Sequence, residues 1–160
     1  MIRHTPIHFA MGLWNRFSSL LDSLRPLAAL VARAYLAQVF FLSGLTKIRD
    51  WEITLLLFTE EYQVPLLSPQ VAAVMGTGGE LVLPVLLLLG LAGRFAALGL
   101  SVVNVVAVLS LSEIAPAALQ QHITWGVLLA ALVIHGVGRW SVDCLWLKPW
   151  AERRSAAAAP

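Results

Sequence analysis

Four long apolar stretches divide the chain, at residues 27–45, 71–92, 95–111 and 118–137. Each approaches the ~20 residues that a helix needs to cross a ~30 Å hydrocarbon core. Backbone groups inside lipid must pair within their own segment, so each stretch is expected to be an α-helix. Gly93 and Arg94 are left as a tight turn between the second and third stretches. Residues 112–117 form another short turn, with Pro116 as its punctuator. The first connection, 46–70, is long and mixes Trp51, Ile53, Leu55, Leu56, Leu57 and Phe58 with Asp50, Glu52, Glu60 and Glu61. That mixture predicts a short amphipathic helix resting on the membrane and ending near Pro65. Its Trp51, Leu55, Phe58 and Tyr62 form a candidate docking surface for a protein partner.

Ahead of the first stretch, Phe9, Leu13, Trp14, Phe17, Leu20, Leu21 and Leu24 recur at helical spacing. Such a pattern suits an amphipathic helix lying in the membrane interface. It does not suit a signal peptide, because Arg3, Arg16 and Arg25 interrupt it. The expected organisation is an interfacial or cytoplasmic segment (1–26), a four-helix membrane domain (27–138) and a cytoplasmic tail (139–160). Trp140, Trp146 and Trp150 are expected as interfacial anchors, and the alanine-rich end as disordered.

Composition strengthens this reading. The chain is 59% hydrophobic and 12% charged, whereas soluble domains carry roughly 25% charged and 45–50% apolar residues. So few polar residues cannot cover a water-facing surface. The fold class is therefore all-α: an integral membrane four-helix bundle with an N-terminal interfacial amphipathic helix, and the lipid bilayer is its first partner. A net charge of +2 with scattered basic residues gives no nucleic-acid signature. Arg3, Arg16, Arg25, Arg33, Arg94, Arg139, Lys148, Arg153 and Arg154 fall on one side of the bundle, and only Lys47 and Arg49 on the other. The positive-inside bias predicts a multi-pass protein of a bacterial inner (plasma) membrane with both termini cytoplasmic.

Ionisable groups inside a bilayer are costly and are candidates for function. Glu80 lies ~13 Å below the outer boundary by its position in the second stretch. It follows Gly76, Thr77, Gly78 and Gly79, which let a neighbouring helix come close. Pro84 displaces the carbonyl four residues back, which belongs to Glu80. Arg33 starts ~9 Å above the inner boundary, and its side chain is expected to extend toward Glu80. Asn104 lies at a similar middle depth. Lys47 closes the first span, and Gln121 and His122 open the fourth. Arg33, Lys47, Glu80, Asn104 and His122 thus make up the candidate polar site. Whether it pins the bundle or carries chemistry stays open.

No Ser–His–Asp grouping, HExxH or P-loop is present, and Gly76–Gly79 lacks the Lys-Ser/Thr of a phosphate loop. His122 and His135 stand too far apart along one helix to share an ion, so no metal site is expected. Cys144 is the single cysteine and is expected to be an ordinary interfacial residue.

Several pieces, in order, resemble the DoxX family of small bacterial membrane proteins. They are Arg33, the segment Phe40-Phe41-Leu42-Ser43-Gly44-Leu45-Thr46-Lys47, Asp50-Trp51, Val64-Pro65, Gly79-Glu80, and Leu88-Leu89-Gly90-Leu91-Ala92-Gly93-Arg94 running into Ala96-Ala97. The resemblance spans about residues 27–138. It implies a four-helix membrane bundle. Members of the family are linked to thiosulfate–quinone oxidoreduction, to membrane complexes handling redox or oxidative stress, and to metal-responsive peptide systems. The thiosulfate-oxidising members work with additional parts, and this sequence carries neither a soluble catalytic domain nor a cysteine pair. The leading expectation is a subunit of a membrane-associated redox or stress-response complex, with a quinone as candidate ligand. The alternative is a non-enzymatic membrane anchor or assembly partner for another protein, including a metal-responsive system. A transporter accessory ranks third, since only Pro84 suggests a broken helix.

Overall fold

The computed structural model describes residues 5–147, and side chains over 10–146. Arg3, Lys148, Trp150, the two arginines near the C-terminus and the alanine-rich end lie outside the described residues. The described residues form five α-helices: α1 (Thr5–Arg49), α2 (Trp51–Glu60), α3 (Pro69–Leu89), α4 (Gly93–Ser110) and α5 (Pro116–His135). A single π-helical turn, Asp143–Leu147, follows. α1, α3, α4 and α5 are each long and apolar enough to cross a membrane.

The first span differs from expectation. The interfacial segment and the first apolar stretch form one helix of 45 residues with Pro26 inside it. At 1.5 Å per residue it is ~68 Å long, more than twice a hydrocarbon core. No break separates the two parts, so the N-terminal segment extends the span instead of being a separate helix. Residues such as Trp14, Phe17 and Leu20 on this extension are exposed.

Local chemistry sets the other boundaries. The Asp50 carboxylate accepts the Ile53 N–H at 3.0 Å and starts α2, satisfying one of the donors that open a helix. Ser68 begins α3, with Pro69 in its first turn. α2 ends at Glu60, five residues short of Pro65. The α3–α4 turn is not made by Gly93 and Arg94, which belong to α4. It is made by Gly90 (φ 66°) and Ala92 (φ 48°), both left-handed. Gly90 fits because a Cβ there would overlap the Arg33 guanidinium and Ser141. Pro84 lies inside α3, which remains helical to Leu89.

α3 packs against α1 and α4, and α4 against α5, while α1 and α5 meet sparsely. The end of the bundle bearing the α3–α4 turn and the end of α5 is called here the terminal side, and the end bearing α2 the loop side. Leu36, Leu87, Leu100 and Leu129 are wholly buried and join Phe40, Ala96 and Ala97 in the core. Helices in lipid gain no hydrophobic drive from one another and associate through close packing at small residues. Gly44 meets Leu81 and Glu80, Gly79 meets Val103, and Gly99 meets Leu83. Conversely Met75, Phe95, Leu109 and Ile134 each leave more than 60% of their surface uncovered. A contiguous apolar exterior of this kind requires lipid around it.

α2 folds back onto the loop side of α3. Phe58 is buried against Ala72 and Ala73, with Trp51, Leu55, Tyr62 and Val64 around it. The expected docking face is therefore occupied by the chain's own third helix. The reason is the glycine and alanine content of α3, which gives the Phe58 ring a place to sit; a Cβ at Gly76 would lie 3.6 Å from it.

Candidate polar site

Glu80 pairs with Lys47, not with Arg33. The Lys47 Nζ lies 2.5 Å from Glu80 Oε2 and donates to Ser43 Oγ at 3.1 Å. Two features of α1 produce the pairing. Gly44 lets α3 approach until a Cβ there would stand 3.1 Å from the Glu80 Cβ. Side chains on a helix lean toward its N-terminus, so Lys47, one turn beyond Gly44, leans back to that level. Ser43, four residues earlier, shares its face. Both charges are shielded, the side chains retaining 20% exposure for Lys47 and 9% for Glu80. The end of α1 is held as well: Thr54 of α2 donates its hydroxyl to the Lys47 carbonyl at 2.8 Å.

Arg33 lies about three turns, or ~16 Å, along α1 from Gly44, beyond the reach of its side chain to Glu80. The expected Arg33–Glu80 contact is therefore absent. Arg33 is fully buried and donates from Nη1 to the Leu88 carbonyl at 3.3 Å and from Nη2 to the Trp140 carbonyl at 2.5 Å. Leu88 sits in the last turn of α3, where carbonyls lack helical partners and carry partial negative charge. Arg33 thus clamps the end of α3 to the segment after α5. Its Nε has no partner among the described residues. Nearby, Asp143 accepts the Ala92 and Gly93 N–H groups at 2.8 Å with its two oxygens. It caps α4 from fifty residues away, a role without a local sequence signal.

Asn104 and His122 form a second pair, between α4 and α5. Asn104 Nδ2 donates to the His122 carbonyl at 2.9 Å. That bond orients the amide, leaving Asn104 Oδ1 2.8 Å from His122 Nδ1. An amide oxygen only accepts, so Nδ1 carries the hydrogen; with the ring neutral, the lone pair is then on Nε2. The ring stands edge-on to Trp125 at 4.9 Å. Trp125 in turn donates to the Tyr35 hydroxyl of α1 at 3.1 Å and meets Phe40 at 5.8 Å.

The two pairs share a level. Gly79 packs on Val103, which sets the Glu80 turn of α3 beside the Asn104 turn of α4. Thr77, one turn from Glu80 on the same face, is buried, and its hydroxyl has no partner among the described residues. Tyr62, beyond α2, feels the same site. Burial pushes its phenol above the ordinary value, and the Glu61 and Glu80 charges push it further. Of the five expected residues, the structure assembles Lys47, Glu80, Asn104 and His122 in the loop-side half, and sets Arg33 apart at the terminal side. Sequence reasoning missed Ser43 and Tyr62 as neighbours. The i, i+4 spacing of Ser43 and Lys47 was a signal for the first; nothing local signalled the second. Among the described residues, no three His, Cys, Asp or Glu side chains cluster as metal ligands would.

No curated protein and no solved structure gives a significant match to this chain. The DoxX family model matches residues 28–113, from the middle of α1 to the turn after α4. That segment contains Arg33, Lys47, Glu80 and Asn104 and ends before His122. Since it covers more than half of the sequence, and the four membrane-spanning helices agree with it, the chain belongs to the DoxX family.

Proposed function

We propose that this protein is a subunit of a membrane-associated redox or stress-response complex and that its loop-side polar site binds a small lipophilic ligand with carbonyl acceptors, a quinone headgroup being the candidate. The observation that carries the reading is the Lys47–Glu80 pair, two charges held inside the bundle. Replacing a buried ion pair by apolar side chains is often neutral or stabilising, so stability alone is a weak reason for its presence. The pair supplies a donor, Lys47 Nζ, and a proton acceptor, Glu80. His122 supplies a free ring nitrogen from the adjoining helix pair. A quinone accepts hydrogen bonds at its carbonyls and takes up protons on reduction, which is the chemistry these groups serve. The excess of Arg25, Arg33, Arg94 and Arg139 on the terminal side over Lys47 and Arg49 on the loop side supports a cytoplasmic terminal side. The site then faces the outer leaflet of the inner membrane.

The test is a quinone titration followed by tryptophan quenching in detergent. Lys47→Met/Glu80→Gln, which removes both charges together, should weaken binding more than tenfold. Unchanged binding in that double variant would remove the quinone reading. A second reading, a non-enzymatic anchor for another protein, draws on Ile53 and Leu56, the apolar residues of α2 that remain exposed at 55% and 59%. Ile53→Ser/Leu56→Ser would then abolish partner recovery with the charge pair intact.

A further inference from the structure

On the terminal side, α1 and α5 part to leave a lateral cleft of about 1300 Å³. The helices are tied together toward the loop side by the Trp125–Tyr35 hydrogen bond and the Phe40–Trp125 contact. Nearer the terminal end Gly138 rests against Ala29 and Pro26. Between these ties the walls are Ala28, Ala29 and Ala32 of α1 and Leu128, Ala131 and Leu132 of α5. The small α1 side chains create the space. Residues 25–32 of α1 carry the cleft ~10 Å along the helix, from the polar boundary into the hydrocarbon zone.

Size, apolarity and charge together define the occupant. Pockets for drug-sized ligands run ~300–1,000 Å³, so this cleft suits a long-chain amphiphile. An apolar cleft left empty beside lipid would forfeit the dispersion contacts of its walls. Its mouth is polar: Arg25, His135 and Arg139 line it together with one carboxylate, Asp22. Asp22 pairs with Arg25 at 2.7 Å, so the two charges offset each other and Arg139 is the cation left over. Arg139 is exposed and has no ion-pair partner among the described residues. Behind the wall, Arg33 adds a buried positive charge next to Ala32 and bonded to the Trp140 carbonyl, while Asp143 is spent on capping α4.

We propose that this cleft is a binding site for an anionic phospholipid of the terminal-side leaflet, with its acyl chains between α1 and α5 and its phosphate held by Arg139. A neutral lipid satisfies the walls but not the mouth, and a quinone has the chains but no charge for Arg139. The site is separate from the Lys47–Glu80 site and does not depend on it.

Native mass spectrometry of the full chain, stripped by detergent exchange and offered phosphatidylglycerol or phosphatidylcholine of equal acyl length, tests the proposal. Wild-type protein should retain the anionic lipid at least fivefold better. Arg139→Gln should reduce that preference by about fivefold, the ratio expected for one basic residue at an anionic surface, and Arg139→Lys should keep it. Ala131→Phe, which fills the cleft from an exposed position, should lose both lipids while eluting as wild type. Equal retention of the two lipids overturns the proposal. So does a preference that survives Arg139→Gln, or displacement of phosphatidylglycerol by an equimolar neutral quinone.

Discussion

Breaking the Lys47–Glu80 pair from one side should cost far more than removing it whole. Lys47→Met leaves a carboxylate of 9% exposure facing Leu81 and Gly44 without its cation. Losing one partner of a buried pair typically costs ~3–5 kcal/mol, because the remaining charge is uncompensated. Lys47 keeps 20% exposure and Ser43 remains beside the site, which favours the lower end, ~3 kcal/mol. For a chain of this size ~1 kcal/mol corresponds to ~2–4 °C in melting temperature. Lys47→Met should therefore melt roughly 6–12 °C lower than wild type in mild detergent. Lys47→Met/Glu80→Gln leaves no isolated charge and should recover most of that loss. The coupling from the double-mutant cycle should be about 2–3 kcal/mol. Thermal unfolding followed by circular dichroism, with detergent and protein concentration fixed, measures all four species. Additive effects, with the double variant melting at the sum of the two losses, would refute the claim that the two charges balance each other in the bundle.

The same geometry makes other outcomes measurable. Gly44→Val places atoms where Leu81 already lies within 2.9 Å of a Cβ, and should cost ~1–3 kcal/mol by overpacking while parting Lys47 from Glu80, seen as loss of quinone affinity together with a lower melting temperature. Asp143→Ala removes the cap of α4 and should cost ~1–2 kcal/mol, with faster hydrogen exchange at Ala92 and Gly93. Tyr62 carries a raised phenol, so the folded state holds that proton more tightly than the unfolded chain. Its contribution is full below the unfolded value of about 10 and is lost as pH rises toward the folded value. Tyr62→Phe should accordingly flatten part of the alkaline decline in stability, and an unchanged slope would show that Tyr62 does not contribute.

The spans were legible because lipid imposes a simple rule, an unbroken apolar run with self-paired backbone, and 71–92, 95–111 and 118–137 each obey it closely. Helix-to-helix register is another matter. It is set by where Gly44, Gly79 and Gly99 let neighbours approach, and no single helix carries that information. Depth counted along isolated spans therefore gave Glu80 to Arg33, while the lean of Lys47 back toward Ser43 gave it to Lys47. The turn was expected at Gly93 and Arg94, but Gly90 makes it, and the Arg33 guanidinium packed against Gly90, which sequence does not show, explains that position. Asp143 caps α4 across a gap in sequence that no local pattern bridges. Phe58 looked exposed because its partners, Ala72 and Ala73, lie on another helix. Asn104 and His122 were each recognisable as polar residues in an apolar setting; their mutual orientation emerged only when α4 and α5 were placed together.

The central claim is that the loop-side pair of charges exists to hold a carbonyl-bearing lipophilic ligand. The most direct measurement is mild-detergent purification of the tagged protein from its native membrane, with quantification of the extracted quinone. The account predicts near-stoichiometric quinone in wild type and its loss in Lys47→Met/Glu80→Gln, with both proteins folded. Absence of quinone from wild type, or equal amounts in the two, would contradict it.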